Sequence, residues 1–136
     1  FINTIGGSIY DGTGVINAIK LSKTPIWTIS FGYVYSMGFP IFLSGDRRFV
    51  AENTMFLNHT GYTALEGDTN TVIDNIEFNK KIDKRIDKLI TDKTKITQKM
   101  LNAARRADKF WFGDEAYELG IATDILDVTC DLDEIL

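Results

Sequence analysis

Apolar residues along this chain change period several times, and each change marks an element. Phe1 to Thr4 reads as the end of a strand, broken by Ile5-Gly6-Gly7-Ser8. Adjacent glycines let the backbone take positive φ and approach a ligand closely. Between Asp11 and Lys23, apolar Val15, Ile16, Ala18, Ile19 and Leu21 predict an amphipathic helix, which Thr24-Pro25 ends. Ile26-Trp27-Thr28-Ile29 then reads as a buried strand leading through Phe31-Gly32-Tyr33-Val34-Tyr35 to a sharp corner at Ser36-Met37-Gly38. A buried helix follows to about Leu43. Gly45-Asp46-Arg47-Arg48 reads as a polar turn, Phe49-Val50-Ala51 as a short strand, and Asn53 to His59 as another.

Thr60 to Asn70 is polar and glycine-punctuated, and a long helix is predicted from about Thr69 to Asp92. Its apolar positions are Val72, Ile76, Ile82, Ile86, Leu89 and Ile90. Lys80, Lys81, Asp83, Lys84, Arg85, Asp87 and Lys88 are assigned to solvated faces. So long a helix in so small a domain is expected to project and pack on another subunit. Thr97 is placed to cap a short helix to about Arg105, and Asp108 precedes an aromatic cluster, Phe110-Trp111-Phe112. Asp114 to Leu119 reads as a last helix stopped by Gly120, Ile121 to Val128 as a terminal strand, and Asp131 to Glu134 as an acidic tail. Strands and helices alternating with short links predict an α/β fold with a largely parallel sheet. Reactive side chains in such sheets gather at the carboxyl ends of strands, where Ser36 and His59 both fall.

Composition narrows the classes. The 136 residues suffice for a single domain spanning 1–136, and 44% hydrophobic with 25% charged is ordinary for a globular chain. Phe1 falls inside a strand pattern, so an upstream segment is expected to be missing. A net charge of -4 argues against a nucleic-acid partner. One cysteine, Cys130, excludes an intramolecular disulfide and favours a reducing compartment, and one histidine with one distant cysteine makes a poor metal site. No cofactor is expected. The stretch Ile26 to Gly45 carries no charge, but its three glycines, Pro40, three serines and threonine suit a buried strand and helix better than a membrane span.

Four segments together resemble one family. Asn3-Thr4-Ile5-Gly6-Gly7-Ser8 is similar to the Asn-Ser-Pro-Gly-Gly-Ser segment of the Clp protease proteolytic subunit. Gly32-Tyr33-Val34-Tyr35-Ser36-Met37-Gly38 resembles that family's Gly-x-Ala-Ala-Ser-Met-Gly nucleophile segment, and Asn53 to His59 its Pro-Asn-Ser-x-x-Met-Ile-His strand. Ala107-Asp108-Lys109-Phe110 with Glu115 to Ile121 resembles its Arg-Asp-x-Phe and Glu-Ala-x-x-Tyr-Gly-Leu stretch. The segments stand in the family's order over nearly the whole chain.

The resemblance implies an α/β, crotonase-like (Clp protease-type) fold and a serine endopeptidase with a triad of Ser36, His59 and Asp108. It implies an oxyanion hole from the N–H groups of Gly7 and Met37. Substrate would bind as an added strand against Ser8, Ile9 and Tyr10 on one side and Tyr62 and Thr63 on the other. The region of about 60–92 would be the handle between rings, in a homo-oligomer of heptameric rings that stack into a tetradecamer. An AAA+ unfoldase ATPase would supply unfolded protein, with short peptides cleaved in its absence, in the cytoplasm or, for a divergent member, in an organelle or phage setting. Ile5 stands where the family has proline, Tyr33 and Tyr35 where it has smaller residues, Thr60 where it has glutamine, and Arg106-Ala107 where it has an acid–arginine pair bridging rings. Two other readings stay open: a catalytically silent ring subunit, and a crotonase-type acyl-CoA enzyme.

Overall fold

The chain crosses four times between two small sheets, and those crossings fix where its side chains meet. The computed structural model describes residues 1–62 and 64–135. Helix α1 (Ile9–Leu21) starts under Ser8, whose Oγ accepts from the Asp11 N–H at 3.3 Å. The uncharged run then divides into β1 (Trp27–Ser30) and β2 (Tyr33–Tyr35), instead of the single strand expected. The break falls at Phe31-Gly32. A Cβ on Gly32 would meet the Asn3 side chain, whose Oδ1 accepts from the Tyr33 N–H at 2.9 Å.

After the elbow comes α2 (Gly38–Leu43), then β3 (Arg47–Val50) and β4 (Met55–Asn58). Helix α3 spans Thr69–Lys93, α4 Gln98–Ala104 and α5 Gly113–Glu118, with strand β5 (Lys109–Trp111) before α5 and β6 (Asp124–Ile125) after it. A short 3-10 turn, Leu132–Glu134, closes the described chain. One sheet has the order β1-β3-β6, all parallel. The other is β2-β4-β5, parallel between β2 and β4 and antiparallel between β4 and β5. Like β1 to β2, the passage from β3 to β4 switches sheets. Thr54 is buried there, its Oγ1 donating to the Ser30 carbonyl at 2.9 Å. The N-terminal segment spans both sheets: Ile2 N–H donates to Ile29 O at 2.7 Å, and Tyr35 N–H to Thr4 O at 2.9 Å.

Helix α2 is the centre of the core. Phe39, Phe42 and Leu43 are fully buried. Phe39 meets Phe56 edge-on and stacks on Trp111, with ring centroids 6.1 and 5.9 Å apart. Each such side chain stabilises the fold by roughly 1.5–3 kcal/mol. Pro40 is tolerated in the first helical turn because its missing N–H would have no intrahelical acceptor there. Burial of much of this stretch thus accounts for the absence of charge from Ile26 to Gly45, although Trp27 and Phe31 stay exposed.

Several expectations are corrected. Arg47 and Arg48 belong to β3, not to a turn. Arg48 is buried because three carbonyls accept from its guanidinium, those of Ile121, Gly120 and Gly45 at 2.7, 3.1 and 3.3 Å. Lys109–Trp111 forms a strand where only an aromatic cluster was read, since β4 offers it an antiparallel edge. The terminal strand shrinks to Asp124–Ile125 because the backbone turns at Asp127 (φ 60). Asp83 and Asp87 lie on a cavity wall and not on a solvated face. Among the described residues no helix is long and apolar enough to cross a membrane.

Candidate active site

Ser36 occupies the corner between β2 and α2 with φ 54, in the left-handed region where a side chain normally costs about 1–2 kcal/mol. Two hydrogen bonds hold that conformation: Ser36 N–H donates to Leu57 O, and Phe39 N–H donates to Ser36 O, each at 3.0 Å. Gly6 presses on the corner from outside. Its φ is +100, and an added Cβ would lie 2.6 Å from the Ser36 Cβ and 3.0 Å from the Met37 nitrogen. Gly7, with φ +152, faces open space, so this second glycine leaves room beside the serine.

The N–H groups of Gly7 and Met37 have no acceptor among the described residues. Met37 itself is anchored: only 5% exposed, it packs with Ile16, Leu89 and Ile86, and a Cβ on Gly12 would run into its side chain. Its free amide is therefore presented from a fixed position.

These groups open onto a cavity of about 510 Å³. Gly7, Ser8, Ile9, Tyr10, Ser36, Met37, His59 and Tyr62 all line it, so of the residues singled out from sequence the structure brings eight together. Tyr62 is 93% exposed at the rim. Thr63 lies outside the described residues. Asp108 is exposed and does not line the cavity. Among the described residues, no hydrogen bond joins the side chains of Ser36, His59 and Asp108.

The strand register nonetheless sets the three at one end of one sheet. Strand β4 pairs with β5 as Phe56 with Trp111, Leu57 with Phe110 and Asn58 with Lys109. That pairing ends at Asn58 with Lys109, so His59 and Asp108, the next residue beyond each, leave the two strands at the same end of the sheet. On the other flank Tyr35 pairs with Leu57. The next residue, Ser36, donates its N–H to Leu57 O and so leaves β2 at the same end of the sheet at which His59 leaves β4.

The far wall was not anticipated as part of the site. Asn79, Asp83, Ile86, Asp87 and Ile90 line it from α3, with Leu101, Ala104 and Arg105 from α4 and its end. The signal was present in the numbering, because spacings of three and four residues put those α3 positions on one face. Arg105 Nη2 donates to Asp87 Oδ2 at 2.7 Å. Asp83 is half-buried, and burial pushes its carboxyl above the ordinary range while the Arg105 charge opposes the shift.

A serine in a strained strand-to-helix elbow, two free amides beside it and a histidine sharing its cavity form an arrangement suited to acyl transfer. The sequence model of the Clp protease family matches residues 1–129. Over 132 residues the chain is 27% identical to the ATP-dependent Clp protease proteolytic subunit of Deinococcus radiodurans, covering 95% of this chain and 64% of the relative. It is 23% identical over 134 residues to the ATP-dependent Clp protease proteolytic subunit 2 of Treponema pallidum, covering 97% of this chain and 67% of that one. The chain therefore spans about two thirds of the length of these curated relatives. Matched over almost its entire length, and with a mixed α/β fold that suits the match, the chain belongs to the Clp protease family.

Proposed function

We propose that this chain is the proteolytic subunit of a Clp-type serine peptidase, with Ser36 as nucleophile, His59 as general base and acid, and Asp108 as the carboxylate that orients His59. In the reaction His59 takes the hydroxyl proton as Ser36 Oγ bonds to the scissile carbonyl carbon. Gly7 and Met37 N–H groups hold the oxyanion, and His59 returns the proton to the departing amine. Water then releases the acyl group by the same steps in reverse. The observation that carries this reading is the left-handed Ser36 lining one cavity with His59 and two unengaged amides.

The repeated strand–strand–helix passages, β1-β2-α2 and β3-β4-α3, support a crotonase-like fold for the whole. The subunit is proposed to act in the cytoplasm within stacked heptameric rings fed by an AAA+ unfoldase. Substrate would lie extended between Ser8–Tyr10 and the segment around Tyr62 and Thr63. The second reading, a silent subunit of the same assembly, draws on the exposed Asp108 and the missing hydrogen bond between Ser36 and His59. A fluorophosphonate probe separates the two. It labels Ser36 in the peptidase, and His59→Ala slows that labelling by about a hundredfold or more. Labelling that proceeds at the wild-type rate without His59 removes the proposed base, and no labelling of the assembled protein favours the silent subunit.

A further inference from the structure

The α3 wall of the cavity places a negative charge where a peptide side chain would enter. Ile86 packs on the cluster that holds Met37, the residue that follows Ser36, and lines the same cavity as both, so the apolar end of this helical face shares the cavity with the elbow. Asp83 lies one turn farther along α3, about 4.5 Å along its axis. The two acidic residues of this face differ in what holds them. Asp87 accepts from Arg105 Nη2 at 2.7 Å and from Gln98 Nε2 at 2.8 Å, and the other Arg105 nitrogen, Nη1, donates to Asn102 Oδ1 at 3.0 Å. Asp83 has no hydrogen bond or ion pair with any described residue. Arg105, whose charge acts on Asp83, is thus already committed to Asp87. Burial raises the Asp83 carboxyl, which marks a charge short of compensation.

We propose that Asp83 makes this cavity selective for substrates carrying a lysine or arginine side chain beside the scissile bond. The aliphatic stem would lie along Ile86, Ile90, Leu101 and Pro40, all of which line the same cavity. The cationic end would reach the unpaired carboxylate and supply the compensation that the protein itself withholds. The inference rests on the peptidase reading of the cavity, because it assumes that a peptide side chain is what enters there.

Binding tests it without turnover. Two fluorescent peptides identical except for lysine or leucine at the position before the scissile bond are titrated by anisotropy into the Ser36→Ala chain. The lysine peptide should bind about tenfold more tightly at low salt. Adding Asp83→Asn should bring the two affinities together, and Asp83→Lys should favour a glutamate peptide instead. Equal affinities in the Asp83 protein, or a lysine advantage that survives Asp83→Asn, overturn the proposal. Fluorophosphonate labelling of the Ser36 protein is read alongside. A lysine preference abolished by Asp83→Asn, with Ser36 unlabelled, removes the peptidase reading and keeps the Asp83 assignment. Labelling with no lysine preference removes only the role of Asp83.

Discussion

At the scale of single residues, the two adjacent glycines do different work. Gly6 has no space for a side chain because the Ser36 Cβ, the Tyr35 carbonyl and the Met37 nitrogen close around it. Gly7 has open space and a free N–H. Gly6→Ala should therefore push the elbow out of place. We expect about 1–3 kcal/mol of lost stability in urea unfolding and at least a tenfold drop in Ser36 labelling. Gly7→Ala carries backbone strain but no clash, so it should keep the elbow and obstruct the cavity, slowing labelling with a smaller loss of stability. Equal stability losses in the two variants would contradict this division. Asp83 gives a pH signature of its own. Its folded-state pKa is raised by burial, so ionisation disfavours the folded state as pH rises through that pKa, and the penalty is absent below the ordinary carboxylate value. Asp83→Asn should accordingly melt at a higher temperature than the parent at pH 7 and at the same temperature near pH 3. A variant less stable at pH 7 would mean that Asp83 has a favourable partner in the folded chain.

At the scale of elements, helix α2 joins core and site, since the residues that bury it follow directly on Ser36 and Met37. Phe39→Ala should cost about 3–5 kcal/mol, because its ring is fully buried between Phe56 and Trp111. Phe42→Ala removes an equally buried ring one turn farther from the elbow. It should cost a similar amount in urea unfolding yet slow Ser36 labelling less. Two helix ends were legible in the chain because their determinants are local: Thr97 accepts from a first-turn amide of α4, and Gly120 ends α5 with φ 72. The caps at Ser8 and Asp68 are equally local but were not read, and α1 starts at Ile9 instead of the expected Asp11. The Ser36 corner was legible for the same reason, as a short apolar run, a glycine and a proline within the first helical turn. What could not be read there was set by partners distant in the chain. The strand break at Gly32 depends on Asn3, and the burial of Arg48 depends on carbonyls more than 70 residues away. Strand β5 exists because β4 presents an edge to it. The acidic wall escaped notice because Asp83 and Asp87 sit among lysines that are solvated, and only the arrival of α4 turns that face inward.

At the scale of the whole molecule, α3 is out of proportion to the body that carries it. Its 25 residues run roughly 37 Å, yet only Leu89 and Ile90 near its C-terminal end are buried. Toward the N-terminal end Ile73, Ile76 and Phe78 are exposed, with Phe78 at 52%. Ile73 and Ile76, three residues apart, share one exposed face, and such apolar side chains on a helix so little buried mark a surface that another chain covers. The proposed ring assembly supplies such a chain in further copies of this one, and it would also enclose a cavity whose rim residue Tyr62 now stands in solvent. Ile73→Glu with Ile76→Glu tests this directly. Both side chains are exposed in the single chain, so the double variant should unfold within about 0.5 kcal/mol of the parent. Its sedimentation, however, should shift from a particle of seven or fourteen copies to a smaller species, as like charges meet across the former contact. Labelling of Ser36 should fall with that shift if neighbouring copies enclose the cavity that holds it. A parent protein that sediments as a single chain while its serine reacts fully with the probe would show that the exposed face of α3 has no part in building the site.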